Sequence, residues 1–266
     1  MKKVLLMALV VTASFSCKNE AKNQEEATTE NEEMAMTEES EMEADFDITP
    51  IEHATAVFTL GDAVFYIDPV GGAEAFEGQP APQYILLTDI HGDHLNQATL
   101  KAVAKPDTKI FAPQAVFDQL EGPIRSQVTV MNNDDTQSWE GYTLTAIPMY
   151  NLREEAKQFH VKGRGNGYLL EKDGTRIYFS GDTEDIPEMR NLEDIDKAFV
   201  CMNLPYTMTV ESAADGVIAF APDEVYPYHF RGQGGLSDTD TFKSIVDSAN
   251  VGTKVIMLDW YPNKTE

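Results

Sequence analysis

The sequence predicts a mixed α/β domain in which two packed β-sheets are covered by helices. Short apolar runs rich in β-branched and aromatic residues recur along most of the chain, and a few helical segments are interspersed among them. The hydrophobic fraction is 42% of 266 residues, which is enough for one core of ordinary size. A wholly disordered chain is therefore excluded.

The first strand candidates form a hairpin. Residues 56–60 and 63–67 flank Gly61-Asp62, a dipeptide that favours a tight turn between two strands. Residues 84–88 are an almost continuous apolar run, typical of a strand that is buried on both faces. A second hairpin turn, Lys-Asp-Gly-Thr, is predicted at 172–175. The other predicted strands are 109–112, 127–131, 142–147, 167–171, 176–180, 198–202, 224–228 and 254–258.

Helices are predicted between several of these strands. In the first helix, Asn96 is available as the N-cap. In the last, Phe242 and Val246 mark one apolar face, and either Ser237 or Asp238 can supply the cap. The predicted helices are 96–104, 113–120, 210–221 and 238–249.

Residues 1–17 are predicted to form an export signal. Lys2 and Lys3 precede an apolar run at 4–11 that is too short for an ordinary transmembrane helix. The small residues before Cys17 resemble a bacterial lipobox, which implies cleavage before Cys17 and attachment of lipid to its thiol. A plain signal peptide with an incidental cysteine is the alternative. The expected location is the bacterial cell envelope, with the exported protein anchored to a membrane by lipid. Only Cys201 would then keep a free thiol, so a disulfide scaffold is excluded.

Residues 18–47 differ sharply in composition from the rest of the chain. They contain 12 acidic and two basic residues, and Phe46 is their only aromatic residue. Such a segment buries too little apolar surface to offset its ordering entropy, so we expect a disordered acidic tether. An acidic partner-binding arm is the alternative. Residues 48–266 are expected to form one folded domain. The formal charge of the whole chain, −25, argues against a nucleic-acid partner.

A cluster of candidate metal ligands follows the run at 84–88. A loop at the end of a buried strand is a common place for a site, and Gly92 is expected to let this loop turn tightly. A solvated polar loop is the alternative for such a motif taken alone. Further His and Asp residues occur downstream where other predicted strands end. The candidate ligands are Asp89, His91, Asp93, His94, His160, Asp182 and His229.

These motifs, in this order, resemble the metallo-β-lactamase superfamily. Residues 88–94 resemble its His-x-His-x-Asp-His motif, and the glycine-rich segment after His160 resembles its third ligand block. The segments 51–54 and 205–208 resemble the branch that contains ascorbate-6-phosphate lactonase and related predicted metal-dependent hydrolases. The resemblance covers about 48–262. It implies a four-layer αββα sandwich with two mixed β-sheets flanked by helices.

The resemblance also implies a ligand set for two divalent ions. Asp89 stands where the family usually has a histidine. Zinc is the expected metal, and the additional carboxylate also suits manganese or iron. A single tightly held metal and a metal-free relic are the alternatives. Site one would comprise Asp89, His91 and His160, site two Asp93, His94 and His229, and Asp182 would bridge them.

The resemblance implies a metal-dependent hydrolase. Two ions about 3.5–4 Å apart lower the pKa of a shared water, so that a metal-bound hydroxide attacks an ester, lactone, amide or phosphodiester. Asp93 and Asp182 would act as catalytic residues by orienting this water. The alternative function is a non-catalytic metal- or ligand-binding envelope lipoprotein that keeps the fold.

The substrate is expected to be a small molecule, and the loop at 148–166 leaves open whether it is anionic. Four basic residues in this loop could bind an anionic group or could simply be solvated. Three further residues could contact the substrate or could hydrogen-bond to a metal ligand and orient it: His53, Tyr206 and Tyr228. Each could equally be a packed structural residue. The four basic residues are Arg153, Lys157, Lys162 and Arg164.

Overall fold

The structure, a computed structural model, describes residues 44–262 of the chain. The predicted signal segment at 1–17, the lipidation site Cys17 and the predicted tether up to residue 43 lie outside the described residues. Phe46 and Asp47, which the sequence assigns to the end of the tether, are the first two residues of a strand. No helix within 44–262 combines the length and the apolar composition needed to cross a bilayer.

The first sheet is mixed and has six strands in chain order. Its first three strands are antiparallel and the next three are added in parallel. The turn between the second and third strands contains Gly61 at a φ of 56°, as the hairpin signal predicts. The strands are β1 (Phe46–Glu52), β2 (Thr55–Leu60), β3 (Ala63–Ile67), β4 (Tyr84–Leu86), β5 (Lys109–Ala112) and β6 (Val128–Val130).

The second sheet is also mixed and has seven strands. Its antiparallel half is a meander, and its parallel half is built by crossovers. In spatial order the strands are β15 (Lys254–Val255), β12 (Glu224–Tyr228), β11 (Lys197–Cys201), β10 (Thr175–Phe179), β9 (Gly165–Lys172), β8 (Tyr142–Met149) and β7 (Thr136–Trp139). A separate small hairpin joins β13 (Arg231–Gly232) and β14 (Gly235–Leu236).

Helices cover the outer faces of both sheets. Leu100 and Val116 share a buried core cluster with Ile85 and Ile110 of the first sheet, and Val217 and Phe242 belong to the core cluster of the second. Asn96, Thr209 and Asp238 each accept a hydrogen bond from a first-turn backbone N–H, so each caps its helix. The helices are α1 (Gln97–Val103), α2 (Gln114–Gln119), α3 (Pro187–Arg190), α4 (Val210–Phe220) and α5 (Thr239–Ala249), with 3₁₀ turns at Ala73–Phe76 and Pro123–Gln127.

Aromatic side chains hold the two sheets together. Phe58 of β2 packs against Phe179 of β10 with ring centroids 5.0 Å apart, and Phe179 stacks on Phe199 of β11 at 4.5 Å. All three side chains are fully buried. Such pairs contribute about 1 kcal/mol each beyond their buried area. The predicted four-layer αββα sandwich is confirmed.

The predicted elements are present, with differences at their ends. The strand predicted at 84–88 ends at Leu86, because Leu87 and Thr88 already lead into the loop of candidate ligands. Only the first two residues of the strand predicted at 254–258 pair. The sequence did not predict β1, β7, the small hairpin or α3. β7 consists mainly of exposed polar residues at a sheet edge and therefore carries little hydrophobic pattern.

Candidate metal centre

The candidate ligands lie in loops that follow strands of both sheets. The segment 89–94 follows β4 of the first sheet, Asp182 follows β10 and His229 follows β12 of the second sheet. His160 lies in the loop between β8 and β9. His229 has a φ of 47°, an unusual backbone conformation for a non-glycine residue and one often found at functional sites. Both sheets therefore contribute to one cluster.

The residues predicted for site one lie together. The ligand atoms of Asp89, His91 and His160 are all within 4.8 Å of one another. His91 Nδ1 lies 2.6 Å from Asp89 Oδ2, and His160 Nε2 lies 3.9 Å from the same oxygen. Asp89 and His160 are buried, whereas His91 is partly exposed.

The second group contains His94, Asp182 and His229. The Nε2 atoms of His94 and His229 face each other at 3.1 Å, and Asp182 Oδ1 lies 3.3 Å from His229 Nε2. Asp93, predicted for this site, lies 3.4 Å from His229 Nε2 and 3.9 Å from His94 Nε2. Asp93 also lies 3.5 Å from His53 Nε2, so His53 joins this side of the cluster.

Asp182 lies between the two groups. Its Oδ2 atom is 3.2 Å from His160 Nε2 and 3.3 Å from His94 Nε2, while Oδ1 faces His229. One carboxylate therefore reaches a histidine of each predicted site. This is the position that the sequence predicts for a bridging ligand.

Hydrogen bonds from Nδ1, the ring nitrogen that points away from Asp182, orient His94 and His160. His94 Nδ1 donates to Asp68 Oδ2 at 2.8 Å, and His160 Nδ1 donates to the backbone carbonyl of Tyr206 at 3.2 Å. A carboxylate and a carbonyl only accept, so Nδ1 carries a proton in both rings, and the Nε2 atom of each ring faces Asp182. Thr88 fixes Asp68 through its backbone N–H and its hydroxyl.

These contacts fit a bound cation. Within the described part of the chain, His160 Nε2 and Asp182 Oδ1 are buried atoms without a hydrogen-bond partner. His160 Nε2 also faces Asp182 Oδ2, and in the neutral ring with the proton on Nδ1 this nitrogen presents a lone pair to the carboxylate oxygen. A positive ion between such acceptors satisfies both of them, and imidazole nitrogens with carboxylate oxygens are common ligands of divalent metals.

The carboxylates of the cluster are ionised. Burial acts to raise the pKa of Asp182, but the neighbouring charges of His229 and His94 outweigh it and hold that pKa well below its usual range. Burial likewise opposes the lowered pKa of Asp93, which the hydrogen bonds from His229 and His53 bring about. Both groups therefore offer charged oxygens at neutral pH.

A guanidinium group holds Asp89. Arg164 donates from Nε to Asp89 Oδ1 at 3.1 Å and from Nη2 to Asp89 Oδ2 at 2.9 Å, and Nη2 also bonds the carbonyl of Phe159. Burial acts to raise the pKa of Asp89, but the hydrogen bond from His91 and the nearby positive charges, including that of Arg164, lower it. The carboxylate that replaces the family histidine thus has a compensating cation.

A cavity of about 370 Å³ adjoins the cluster. Its other lining residues are Phe159, Asn203 and Tyr206, so Tyr206 faces the cavity. Tyr228 is fully buried, and its hydroxyl accepts a hydrogen bond from Gly181 N at 2.9 Å. Tyr228 therefore supports the loop of Asp182 and does not contact the cavity. The candidate ligands in the lining are His91, Asp93, His160 and Asp182.

His53 is held on both ring nitrogens. Its Nδ1 atom is 2.8 Å from the hydroxyl of Tyr261, its Nε2 atom faces Asp93, and its ring lies 3.7 Å from that of His229. Burial lowers the pKa of His53. Of its two predicted roles, these contacts favour support of the ligands over contact with substrate.

Each basic residue of the predicted cluster has an acidic partner. Arg153 pairs with the buried Glu184 at 2.7 Å and Lys162 with Glu188 at 2.6 Å. Lys157 pairs with Glu154. Together with the pair between Arg164 and Asp89, these contacts leave none of the four basic side chains as an unpaired cation at the cavity.

Sequence reasoning missed three supporting contacts. No signal in the sequence indicated that Asp68 and Tyr261 hold histidines of the cluster or that Arg164 pairs with Asp89. Gly92 was expected to turn the ligand loop tightly. Gly92 does lie in a turn, closed by the hydrogen bond from His94 N to the carbonyl of His91, but its φ is not positive and a Cβ atom there would meet nothing within 4 Å, so the turn does not require glycine.

Comparison with known proteins identifies the family. The family described as the beta-lactamase superfamily domain matches residues 47–229. A structure from Parabacteroides distasonis is 35% identical and has a TM-score of 0.72, with 80% of this chain and 93% of that chain covered. A structure of a metallo hydrolase from Ignicoccus hospitalis, 22% identical, has the same fold, with a TM-score of 0.66 over 79% of this chain and 94% of that one.

Two archaeal relatives carry the name UPF0173 metal-dependent hydrolase. The protein from Thermococcus onnurineus is 28% identical over 202 residues, with 72% of this chain and 89% of the relative covered. That from Pyrococcus abyssi is 29% identical over 212 residues and covers 72% and 92%. The chain therefore belongs to the metallo-β-lactamase superfamily and is a metal-dependent hydrolase of that superfamily.

Proposed function

We propose that the protein hydrolyses a small-molecule ester, lactone, amide or phosphodiester at a centre that holds two divalent ions. The observation that carries this proposal is the position of Asp182, whose Oδ2 atom lies 3.2 Å from His160 Nε2 and 3.3 Å from His94 Nε2. A carboxylate shared by two groups of histidines is the arrangement that two-metal hydrolases use. Zinc is the first metal to test, and manganese or iron follows from the oxygen of Asp89.

Bound divalent ions supply Lewis acidity and lower the pKa of water at the centre. The chain's own residues position the reactants. Asp93, whose side chain is 44% exposed, reaches both the cluster and the cavity, so it can accept a hydrogen bond from water and orient that water towards a bound carbonyl or phosphoryl group. Asn203 and Tyr206 line the same cavity and can donate to the substrate.

The test combines metal content with hydrolysis in the full chain. The protein should contain close to two metal ions per chain by elemental mass spectrometry. It should hydrolyse at least one class in a panel of lactones, carboxylic esters, amides and phosphodiesters. Chelation should abolish the activity, and added zinc or manganese should restore it. Lactones come first in the panel because segments 51–54 and 205–208 resemble the lactonase-like branch.

A double substitution, His91→Ala with His94→Ala, should remove both the bound metal and the hydrolysis. Lys243→Ala on the exposed face of α5 is the matched control and should change neither. Unchanged hydrolysis in the double variant would overturn the proposed centre.

A centre that holds a single metal ion is the alternative within this function. The ion pair between Arg164 and Asp89 favours it, because the guanidinium already occupies both oxygens of one predicted ligand. A metal content near one would indicate that only the group of His94, Asp182 and His229 binds tightly.

We also propose that the mature protein is a lipoprotein of the cell envelope, with lipid on Cys17 and the acidic segment between Cys17 and β1 as a tether between membrane and domain. Radiolabelled palmitate should label the chain expressed in a bacterium, and Cys17→Ser should abolish both the label and sedimentation with membranes. Cys201→Ser is the control, because Cys201 is buried and should not carry lipid. Label that persists in Cys17→Ser would contradict the proposal.

A further inference from the structure

The cavity beside the candidate ligands has an aromatic lining. Apart from four candidate ligands, it is lined only by Phe159, Asn203 and Tyr206. The rings of Phe159 and Tyr206 meet edge to face with centroids 5.2 Å apart. A volume of about 370 Å³ suits a small molecule with several carbon atoms beyond its reacting group.

Exposed apolar side chains flank the chain segments that line this cavity. Six large apolar residues are exposed within the described residues, and Tyr206 is one of them. Val161 and Leu204 directly follow the lining residues His160 and Asn203. Leu152 follows Asn151, whose backbone N–H donates to the carbonyl of His160 at 3.0 Å. The remaining two are Leu236, in the small hairpin that bonds to the carbonyl of Leu204, and Met257, which follows β15 and does not line the cavity.

Charge near the cavity disfavours an anion. The four basic side chains of the loop at 148–166 are paired with carboxylates, and none of them lines the cavity. The domain at 48–266 has 33 acidic and 16 basic residues, a net charge of −17. A phosphate or carboxylate on the substrate would therefore find no arginine or lysine among the lining residues to bind it.

We propose that the substrate is a neutral molecule with an apolar acyl or alkyl group next to the bond that is hydrolysed, and that Phe159 and Tyr206 bind this group. The inference rests on the proposed hydrolase function and names its substrate class. Apolar surface buried against the two rings supplies the binding energy, about 0.8 kcal/mol for each buried methylene, which corresponds to a fourfold gain in affinity. Among lactones, this proposal favours neutral alkyl lactones over phosphorylated sugar lactones as substrates.

Hydroxamates test the inference by binding, without reliance on turnover, because their two oxygens bind metal ions. Three probes are titrated calorimetrically into the zinc-loaded full chain: acetohydroxamate, hexanohydroxamate and adipic monohydroxamate. The last two have equal length, but adipic monohydroxamate ends in a carboxylate. Hexanohydroxamate should bind at least tenfold more tightly than either of the other two.

Two variants test whether Phe159 binds the alkyl group of hexanohydroxamate. Phe159 is only half-buried, so the Phe159→Ala variant should fold. It should lose most of the affinity that hexanohydroxamate has in excess of acetohydroxamate. Met257→Ala removes an exposed apolar side chain that does not line the cavity and should leave all three affinities unchanged.

The outcomes separate this inference from the proposed function. Equal affinity for acetohydroxamate and hexanohydroxamate, or tighter binding of adipic monohydroxamate, overturns the proposed substrate class. Neither result contradicts the proposed metal centre. If Phe159→Ala keeps the full difference in affinity between hexanohydroxamate and acetohydroxamate, the assignment of the binding residues is overturned. If no hydroxamate binds the zinc-treated chain, the metal centre and the inference fail together.

Discussion

Asp89 differs from the other candidate ligands because a guanidinium group holds both of its oxygens. Its carboxylate is fully buried, and Arg164 is its nearest permanent positive charge. A neutral histidine at the same position would need no such partner. Asp89 and Arg164 together are therefore the neutral equivalent of one imidazole, and the two residues should be energetically coupled.

Arg164→Met should destabilise the metal-free protein by about 3 kcal/mol, because it leaves the buried charge of Asp89 without a partner. Added zinc should recover part of this loss, since a cation at site one replaces the missing charge. The measurement is urea unfolding with and without chelator. Lys162→Met, which removes an exposed ion pair with Glu188, is the control and should cost less than about 1 kcal/mol.

The double variant Asp89→His with Arg164→Met completes the comparison. It should regain most of the stability that Arg164→Met loses, keep its bound metal, and shift metal preference towards zinc. Additive effects of the two substitutions would show that the pair does not act as a unit. Loss of all metal in Asp89→His alone would contradict the assignment of Asp89 as a ligand.

Sequence spacing predicts the ligands at residue scale but not what surrounds them. Asp89, His91, Asp93 and His94 share one short loop, so their proximity is readable from the chain. The partner of Asp89 lies 75 residues away, and that of His53 lies 208 residues away. Such pairs depend on how the two sheets pack, and a single sequence carries no signal for that.

At the scale of elements, β9 approaches the ligand loop at one glycine. A Cβ atom at Gly165 would lie 2.9 Å from the carbonyl oxygen of Thr88 and 3.3 Å from Asp89 Oδ1, and it would collide with Met149. The backbone N–H of Asn166 donates to the same Thr88 carbonyl at 3.0 Å. The start of β9 therefore sets the position of the loop.

Gly165→Ala should push the ligand loop away from β9. We expect a loss of about 1–3 kcal/mol in the free energy of unfolding from overpacking, together with reduced metal content. Gly92→Ala lies inside the ligand motif itself, yet its Cβ atom has open space, so its stability and metal content should stay near those of the parent. The opposite ranking of the two variants in urea unfolding and metal analysis would contradict this reading of the structure.

Elements with a hydrophobic pattern or a turn signal are predictable from the sequence. The hairpin turns at Gly61 and Gly174 and the helix caps at Asn96 and Asp238 form as expected. β7 and the small hairpin have no such pattern, because they are short and mostly exposed. Tertiary pairing, and not local propensity, makes them strands.

At the scale of the whole molecule, Cys201 can report on opening of the fold. It lies at the end of β11, is fully buried, and donates to the carbonyl of Thr183, the residue after Asp182. Burial raises the pKa of this thiol to about 12. In the native protein it should therefore resist disulfide reagents at pH 8 for as long as the domain stays folded, and it should react after denaturation.

Metal binding should slow this reaction, because the candidate ligands come from both sheets and a bound ion stabilises the folded domain that joins them. At a free concentration 100 times its dissociation constant, one ion that binds only the folded state adds about 2.7 kcal/mol to the free energy of unfolding. The rate of Cys201 modification in moderate urea should then fall by about 100-fold with zinc, if modification follows global unfolding. The variant with His91→Ala and His94→Ala should show no zinc effect. An equal protection by zinc in that variant would mean that the ion stabilises the fold from another place.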